Sequence, residues 1–418
     1  MSLHDEMIQV GDRAVAASRA LAPLSGRRKN AILEAMAAEL EARREAIFAA
    51  NRADLAAAES AGMPKPMRDR LVLDAKRMDA MIRGIRNIVG LRDPVGAKIS
   101  RWIRPNGLVI QKVRVPIGVI AIVYESRPNV TADTAALCFK ASNAVILRGG
   151  KEAMESNKAI AQALVEGGAK KGLPPYAIQL VTTTDRDAIR EIVQLTGRVD
   201  LVIPRGGEGL ILAVTAHARV PVIKHYKGVC HVYVEASADP EMALRIVENA
   251  KCQYPAVCNA AEKLLVDAAL APSFLPRCAA LLQARGVELR GDEASRALVP
   301  SMNPAVDADW TTEYNDLILT VKVVPGVAEA IAHINAFGSH HSDAIVTADE
   351  SAARRFTEEV DSAAVYVNAS TRFTDGGEFG MGAEIGISTE KIHARGPMGL
   401  EELTSYKYVV RGAGQIRE

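Results

Sequence analysis

Between residues 117 and 224 the chain repeats one pattern, a short and wholly apolar run followed by a helix-forming segment. IGVIAIVY leads into TADTAALCFKAS, and AVILR leads into EAMESNKAIAQALVEGGAKKG. IQLVTT leads into DRDAIREIVQL, VDLVIP into GGEGLILAVTAHA, and VPVIK closes the series as a fifth strand. Strands apolar at every position are buried on both faces, and strands alternating with helices are joined by crossovers. Both properties belong to an α/β fold built on a parallel, doubly wound sheet. A second α/β run begins near residue 229, with strands HVYVE, KLLVD, LILTVKVV, DAIVT and AAVYVN. The tail SYKYVV reads as one further strand.

The first ninety residues are helical, with Leu33, Met36, Leu40 and Ile47 on one stripe. Residues 98–115 alternate instead, around Asn106-Gly107, a pair that supplies the positive φ angles of a tight hairpin turn. The 418 residues suffice for two or three domains. Lys and Arg total 51 against 50 Asp and Glu, so no basic field is present to hold nucleic acid. The apolar runs are too short to span a bilayer, and the N-terminus lacks a secretory signal, which predicts a cytoplasmic protein. Five cysteines without a CxxC pair predict neither a disulfide framework nor a metal site.

No GxGxxG follows a strand; GMGAEIG near residue 380 has the wrong spacing and no βαβ context. Two other turns suit a nucleotide. Arg148-Gly149-Gly150 ends one strand of the first series, and Arg205-Gly206-Gly207 ends another and opens a helix. Such turns let a backbone approach a phosphate, and arginine adds a planar fork. Each turn equally suits an ordinary strand-to-helix connection. Cys258, in YPAVCNAAE, is likewise either a small packing residue or a nucleophile. Pro255 and Asn259 place it in a loop or at the start of an element, and a helix N-terminus there would favour the thiolate.

The segment ENAKCQYPAVCNAAEKLLV resembles the nucleophile segment of the γ-glutamyl phosphate reductase family, a branch of the aldehyde dehydrogenase superfamily. VPGVAEAIAHINAFGSHHSDAI, with His333, Gly338, Ser339, His341, Ser342 and Asp343, and residues 113–157 are similar to the same branch. The resemblance implies an aldehyde-dehydrogenase-like fold. A Rossmann-type NADP-binding domain would take residues 1–95 and 116–228, and a catalytic domain residues 229–396. Segments 96–115 and 397–418 would form a bridging arm that pairs with a neighbour, giving a homo-oligomer, either dimer or tetramer.

The chemistry implied is reduction of L-glutamyl 5-phosphate by NADPH to the semialdehyde, the second step of proline biosynthesis from glutamate. Cys258 would form a thioester, with Asn259 and the Cys258 amide as oxyanion donors. Glu313 would hold the nicotinamide ribose, and Arg148 and Gly149, with Gly206 and Gly207, the rest of the cofactor. Arg127, His341 and Arg395 are candidates for the anionic groups of the substrate. Two departures from the wider superfamily stand out. Where hydrolytic members carry a glutamate base the chain reads His225-Tyr226-Lys227-Gly228, and Glu125 replaces an oxyanion-hole asparagine. A hydrolytic aldehyde dehydrogenase and a non-catalytic nucleotide-binding scaffold are the rival readings. Transient contact with glutamate 5-kinase is a further expectation, because the acyl phosphate is unstable.

Overall fold

The computed structural model describes residues 2–417, so the outer domain limits 1 and 418 lie outside it. Its residues cluster into two compact units. The first holds residues 2–224, 380–386 and 398–417, and the second holds 225–379 and 387–397.

The first unit opens with helices α1 (Leu3–Leu21), α2 (Gly26–Ala42), α3 (Arg44–Ser60), α4 (Lys65–Leu71) and α5 (Ala75–Gly90). Ser2, Ser25 and Asp74 cap α1, α2 and α5 with side-chain oxygens. Strands β1 (Lys98–Ile103) and β2 (Val109–Pro116) then form the hairpin. Its turn differs from the expectation that both Asn106 and Gly107 take positive φ. The Gly107 amide donates to the Arg104 carbonyl, and Gly107 alone takes a positive φ, +85°. Pro105 fixes the first turn position, which gives a three-residue loop with glycine in the left-handed region.

Strands β3 (Val119–Tyr124), β4 (Ala144–Arg148), β5 (Ile178–Leu180) and β6 (Leu201–Arg205) form a parallel sheet in the order β5-β4-β3-β6. Helices α6 (Asn129–Lys140), α7 (Met154–Ala169), α8 (Asp187–Val193) and α9 (Glu208–His217) connect and follow them. The predicted fifth strand, VPVIK, is reduced to one bridge between Val202 and Val222. Pro221 has no N–H to donate, so the ladder stops there.

The second unit carries seven parallel strands. They are β7 (Cys230–Val234), β8 (Ala261–Asp267), β9 (Glu288–Gly291), β10 (Asn303–Pro304), β11 (Ile318–Val324), β12 (Ser342–Val346) and β13 (Ala364–Val367). Their order is β10-β9-β11-β8-β7-β12-β13. Helices α10 (Pro240–Cys252), α11 (Ala271–Ala284), α12 (Glu293–Leu298), α13 (Val327–Phe337) and α14 (Glu350–Glu359) complete it. Val232, Leu264, Val321 and Ala344 pack one buried cluster, and Tyr233, Leu265, Ile345 and Phe356 pack another. Short strands β14 (Gly386–Ser388) and β15 (Gly396–Met398) lie where the chain passes between units. Strand β16 (Thr404–Arg411), the predicted tail strand, pairs antiparallel with β2.

His333 on α13 is a buried histidine with a measurable consequence. Its ring packs against Trp310 and Phe337, and its Nε2 has no hydrogen-bond partner. Burial, then His231, pushes its pKa from 6.5 to about 3. The unfolded chain therefore binds a proton near pH 6.5 that the folded chain refuses until about pH 3. Stability contributed by this residue is complete above pH 6.5 and falls as pH drops toward 3. The expected slope is about 1.4 kcal/mol per pH unit. Denaturant titrations at several pH values should show that slope reduced in His333→Gln; parallel curves would contradict it.

Candidate active site

Cys258 lies in the turn between the end of α10 and the start of β8. It is not at a helix N-terminus, so the helix-dipole argument for its thiolate is replaced by that of its neighbours. Asn259 builds the turn. Its Nδ2 donates to the carbonyls of Thr374 (2.9 Å) and Arg372 (3.3 Å), and its own carbonyl accepts from Thr371 Oγ1 (2.7 Å). Both Nδ2 contacts run to these carbonyls, so the Asn259 side chain positions the loop. The bonds fix residues 370–374 against the nucleophile turn. The Arg372 guanidinium is then close enough to Cys258 for the sulfur's charge to oppose the lowering that burial imposes on the arginine.

Two imidazoles stand beside the same sulfur. One ring nitrogen each from His225 and His341, and Cys258 Sγ, all lie within 4.8 Å of one another. His225 Nδ1 lies 2.9 Å from the carbonyl of Ile387. A carbonyl only accepts, so Nδ1 carries the proton, and in the neutral form of the ring the lone pair is on Nε2. His341, at the start of β12, is fully buried, with Nδ1 2.9 Å from Ser342 Oγ. Burial, then His225, pushes it down to about 3, so it is neutral at working pH. Of the other four cysteines, Cys138, Cys230 and Cys278 are buried and Cys252 is partly exposed. Burial raises the thiols of Cys138, Cys230 and Cys252, and that of Cys278 to about 12. Cys258 is partly exposed.

Gly228 supports the turn from below. A Cβ there would lie 1.7 Å from the Cys258 carbonyl oxygen, and its amide donates to Glu313 Oε1 (3.0 Å). Gly228→Ala is expected to displace the Cys258 backbone, with at least a tenfold fall in turnover and a destabilisation of about 1–3 kcal/mol. Steady-state rates and denaturation midpoints check this; wild-type values for both would refute the close approach. Glu313 therefore has one carboxylate oxygen on the backbone of this unit, with Oε2 as its second acceptor.

The cofactor candidates lie in the first unit. Arg148 ends β4 and is only 5% exposed. Its Nη1 donates to the Gly149 carbonyl and its Nη2 to those of Asp185 (3.2 Å) and Thr184 (3.4 Å), while Nε has no partner. No carboxylate forms an ion pair with it among the described residues, and a buried cation so placed fits an anionic group. A Cβ on Gly149 would meet Asn157 Nδ2 at 2.2 Å. At the other turn, the Gly207 amide donates to Glu125 Oε2 (2.9 Å), where α9 begins. The Glu125 carboxylate thus already holds one N–H of this turn. A Cβ on Gly206 would strike that carboxylate at 2.6 Å.

The remaining substrate candidates divide. Arg127 is exposed in the first unit. Arg395, in the second, is bonded to Asp361 Oδ1 (2.8 Å) and to the Asp361 carbonyl. Lys391 lies 2.6 Å from the same carboxylate. Hydrogen bonds from Lys391 and then Arg395 hold Asp361 at about 2, so Arg395 already has its anion. Sequence reasoning missed Arg372 and noticed His225 only as a missing carboxylate.

A partly exposed cysteine beside two imidazoles stands on a chain with two parallel sheets, and residues 4–303 match the aldehyde dehydrogenase family. The chain belongs to that family, whose members are oxidoreductases working with nicotinamide cofactors. Its relatives narrow the assignment. It is 55% identical over 413 residues to the gamma-glutamyl phosphate reductase of Carboxydothermus hydrogenoformans, covering 99% of this chain and 100% of that one. It is 53% identical to the enzyme of the same name from Moorella thermoacetica, over all of both chains. The crystal structure of gamma-glutamyl phosphate reductase from Thermotoga maritima matches with TM-score 0.97 at 48% identity, covering 99% of this chain and 100% of that one. Within the family the chain falls in the gamma-glutamyl phosphate reductase branch.

Proposed function

We propose that the chain reduces L-glutamyl 5-phosphate to L-glutamate 5-semialdehyde with NADPH, releasing phosphate, in proline biosynthesis. The observation that carries the mechanism is a partly exposed Cys258 flanked by imidazoles, with histidine at the position of the hydrolytic glutamate. Cys258 sulfur attacks the acyl carbon, the carbon–oxygen bond to phosphate breaks, and a thioester forms. Phosphate leaves as a stable anion, so little protonation is needed. His225, with its lone pair on Nε2, takes the thiol proton and returns it when the thiohemiacetal collapses. Arg372 offsets negative charge at the sulfur and on the departing phosphate. With no carboxylate in the place of the water-activating base, the thioester persists long enough to be reduced. NADPH, when bound, supplies the hydride that reduces the thioester carbon. In the first unit Arg148 and the Gly206–Gly207 turn are the residues proposed for the cofactor, and in the second Glu313 is the one proposed for its ribose hydroxyls. Arg127 would meet the remaining anionic groups of the substrate.

We further assign homo-oligomer formation to the arm. Trp102, Tyr408 and Val410 are exposed on one face of its three-stranded antiparallel sheet of β1, β2 and β16, an apolar surface of the kind that pairs with a second copy. A cytoplasmic location and contact with the upstream kinase complete the proposal. No helix among the described residues is long and apolar enough to cross a membrane.

Alkylation tests the nucleophile assignment. Iodoacetamide at neutral pH is expected to modify Cys258 before the other four cysteines, and glutamate semialdehyde should slow it. Preferential modification of Cys252, the other partly exposed thiol, would point to a packing role for Cys258.

A further inference from the structure

We propose that Cys258, His225 and His341 form a binding site for a soft divalent cation, zinc in the first instance, that masks the nucleophile reversibly. Spacing along the chain gives no hint of it, because the three ligands come from three separate segments. The fold brings two imidazole nitrogens and one sulfur within 4.8 Å of one another, the only such group of three or more among the described residues. Around a tetrahedral zinc, nitrogen and sulfur donors stand roughly 3.3–3.6 Å apart, given bond lengths of about 2.0–2.3 Å. Closing the set therefore takes a movement of about an ångström, within reach of a χ1 change at the partly exposed Cys258.

Two independent features point to a ligand. His341 Nε2 is buried without a hydrogen-bond partner, although its ring is fully enclosed. A buried polar nitrogen left so is costly unless something completes it. The imidazoles are also oriented from behind, as metal-bound histidines are. His225 Nδ1 is held by the Ile387 carbonyl, and His341 Nδ1 meets Ser342 Oγ, which in turn meets Thr374 Oγ1 at 2.6 Å.

The donor set selects the metal. One thiolate and two imidazoles suit zinc, and they disfavour magnesium and calcium, which require oxygen. Three protein ligands leave a fourth position for water. Binding replaces the thiol S–H bond with S–Zn, and the proton leaves to solvent. The sulfur's lone pair is then engaged, so zinc and the acyl substrate exclude one another.

The test is equilibrium titration of the reduced full-length chain with Zn2+ alone, in competition with a chromogenic chelator, and in parallel with Co2+ alone. One ion per chain is expected, with a thiolate-to-cobalt charge-transfer band. Cys258→Ala should abolish the band, and Cys258→Ala and His225→Gln should each weaken zinc binding at least about 100-fold. Cys252→Ala should change neither. Because binding is read without turnover, it stands or falls separately from the proposed reaction. Circular dichroism confirms that each variant is folded. Wild-type zinc affinity in Cys258→Ala or His225→Gln, or no zinc bound by the folded wild-type chain at micromolar concentration, would overturn the assignment.

Discussion

Cys258→Ala is expected to lower NADPH turnover by on the order of 10^4–10^6-fold, the loss that follows removal of a covalent nucleophile, with thermal stability close to wild type. Two local facts set this expectation. The residue is partly exposed in a turn, so loss of the sulfur leaves no enclosed cavity. No other thiol is placed to take over. Cys230 is nearest, but it is buried, its thiol donates to the Cys258 carbonyl at 3.2 Å, and burial keeps it protonated. Steady-state rates with a melting curve on the same sample separate lost chemistry from lost fold. Turnover within tenfold of wild type would remove Cys258 from the reaction.

The largest expected effect on stability lies immediately behind that turn. Lys251 Nζ and Glu262 Oε2 are 3.0 Å apart, and both side chains are fully buried. Glu262 also accepts the Asn315 amide (3.3 Å), and beside it the buried Lys263 ammonium donates to the Thr312 carbonyl (2.8 Å). Burial pushes the carboxyl up and both ammonium groups down; their mutual attraction and hydrogen bonds counter it. Lys251→Met leaves a buried carboxylate without its closest cation, a change that costs about 3–5 kcal/mol. Lys251→Met/Glu262→Met together should recover most of that loss, because a packed apolar pair of similar volume needs no compensation. Denaturation midpoints of the two variants check the sign of the coupling. A single substitution costing under about 1 kcal/mol would show that water reaches the pair. Glu262 lies on β8 just after the nucleophile turn, so the single variant should also lower turnover.

The two parallel sheets were legible because their strands are apolar at every position, a signature that only burial on both faces produces. What failed was local. VPVIK satisfied the apolar pattern, but Pro221 cannot extend a ladder. ELRG, now β9, is half charged and four residues long, so no periodicity marked it. Asn106-Gly107 suggested positive φ at both residues, yet with Pro105 at the first turn position only Gly107 takes one.

The site was legible only where a motif was contiguous. The segment around Cys258 and the signature around His341 could be read along the chain. The meeting of His225, Cys258, His341 and Arg372 is a product of strand order and of Asn259's bonds to residues 372 and 374. Glu125 and Arg395 look available in sequence, but the fold spends them on the Gly207 amide and on Asp361.

In the proposed reaction the acyl group passes between Cys258 and phosphate, not to water. The direct measurement is NADPH formation from glutamate semialdehyde and NADP+, followed with and without inorganic phosphate. Formation that requires phosphate, and disappears in Cys258→Ala, is the predicted result. Equal rates without phosphate, or no NADPH from the folded chain under either condition, would contradict it.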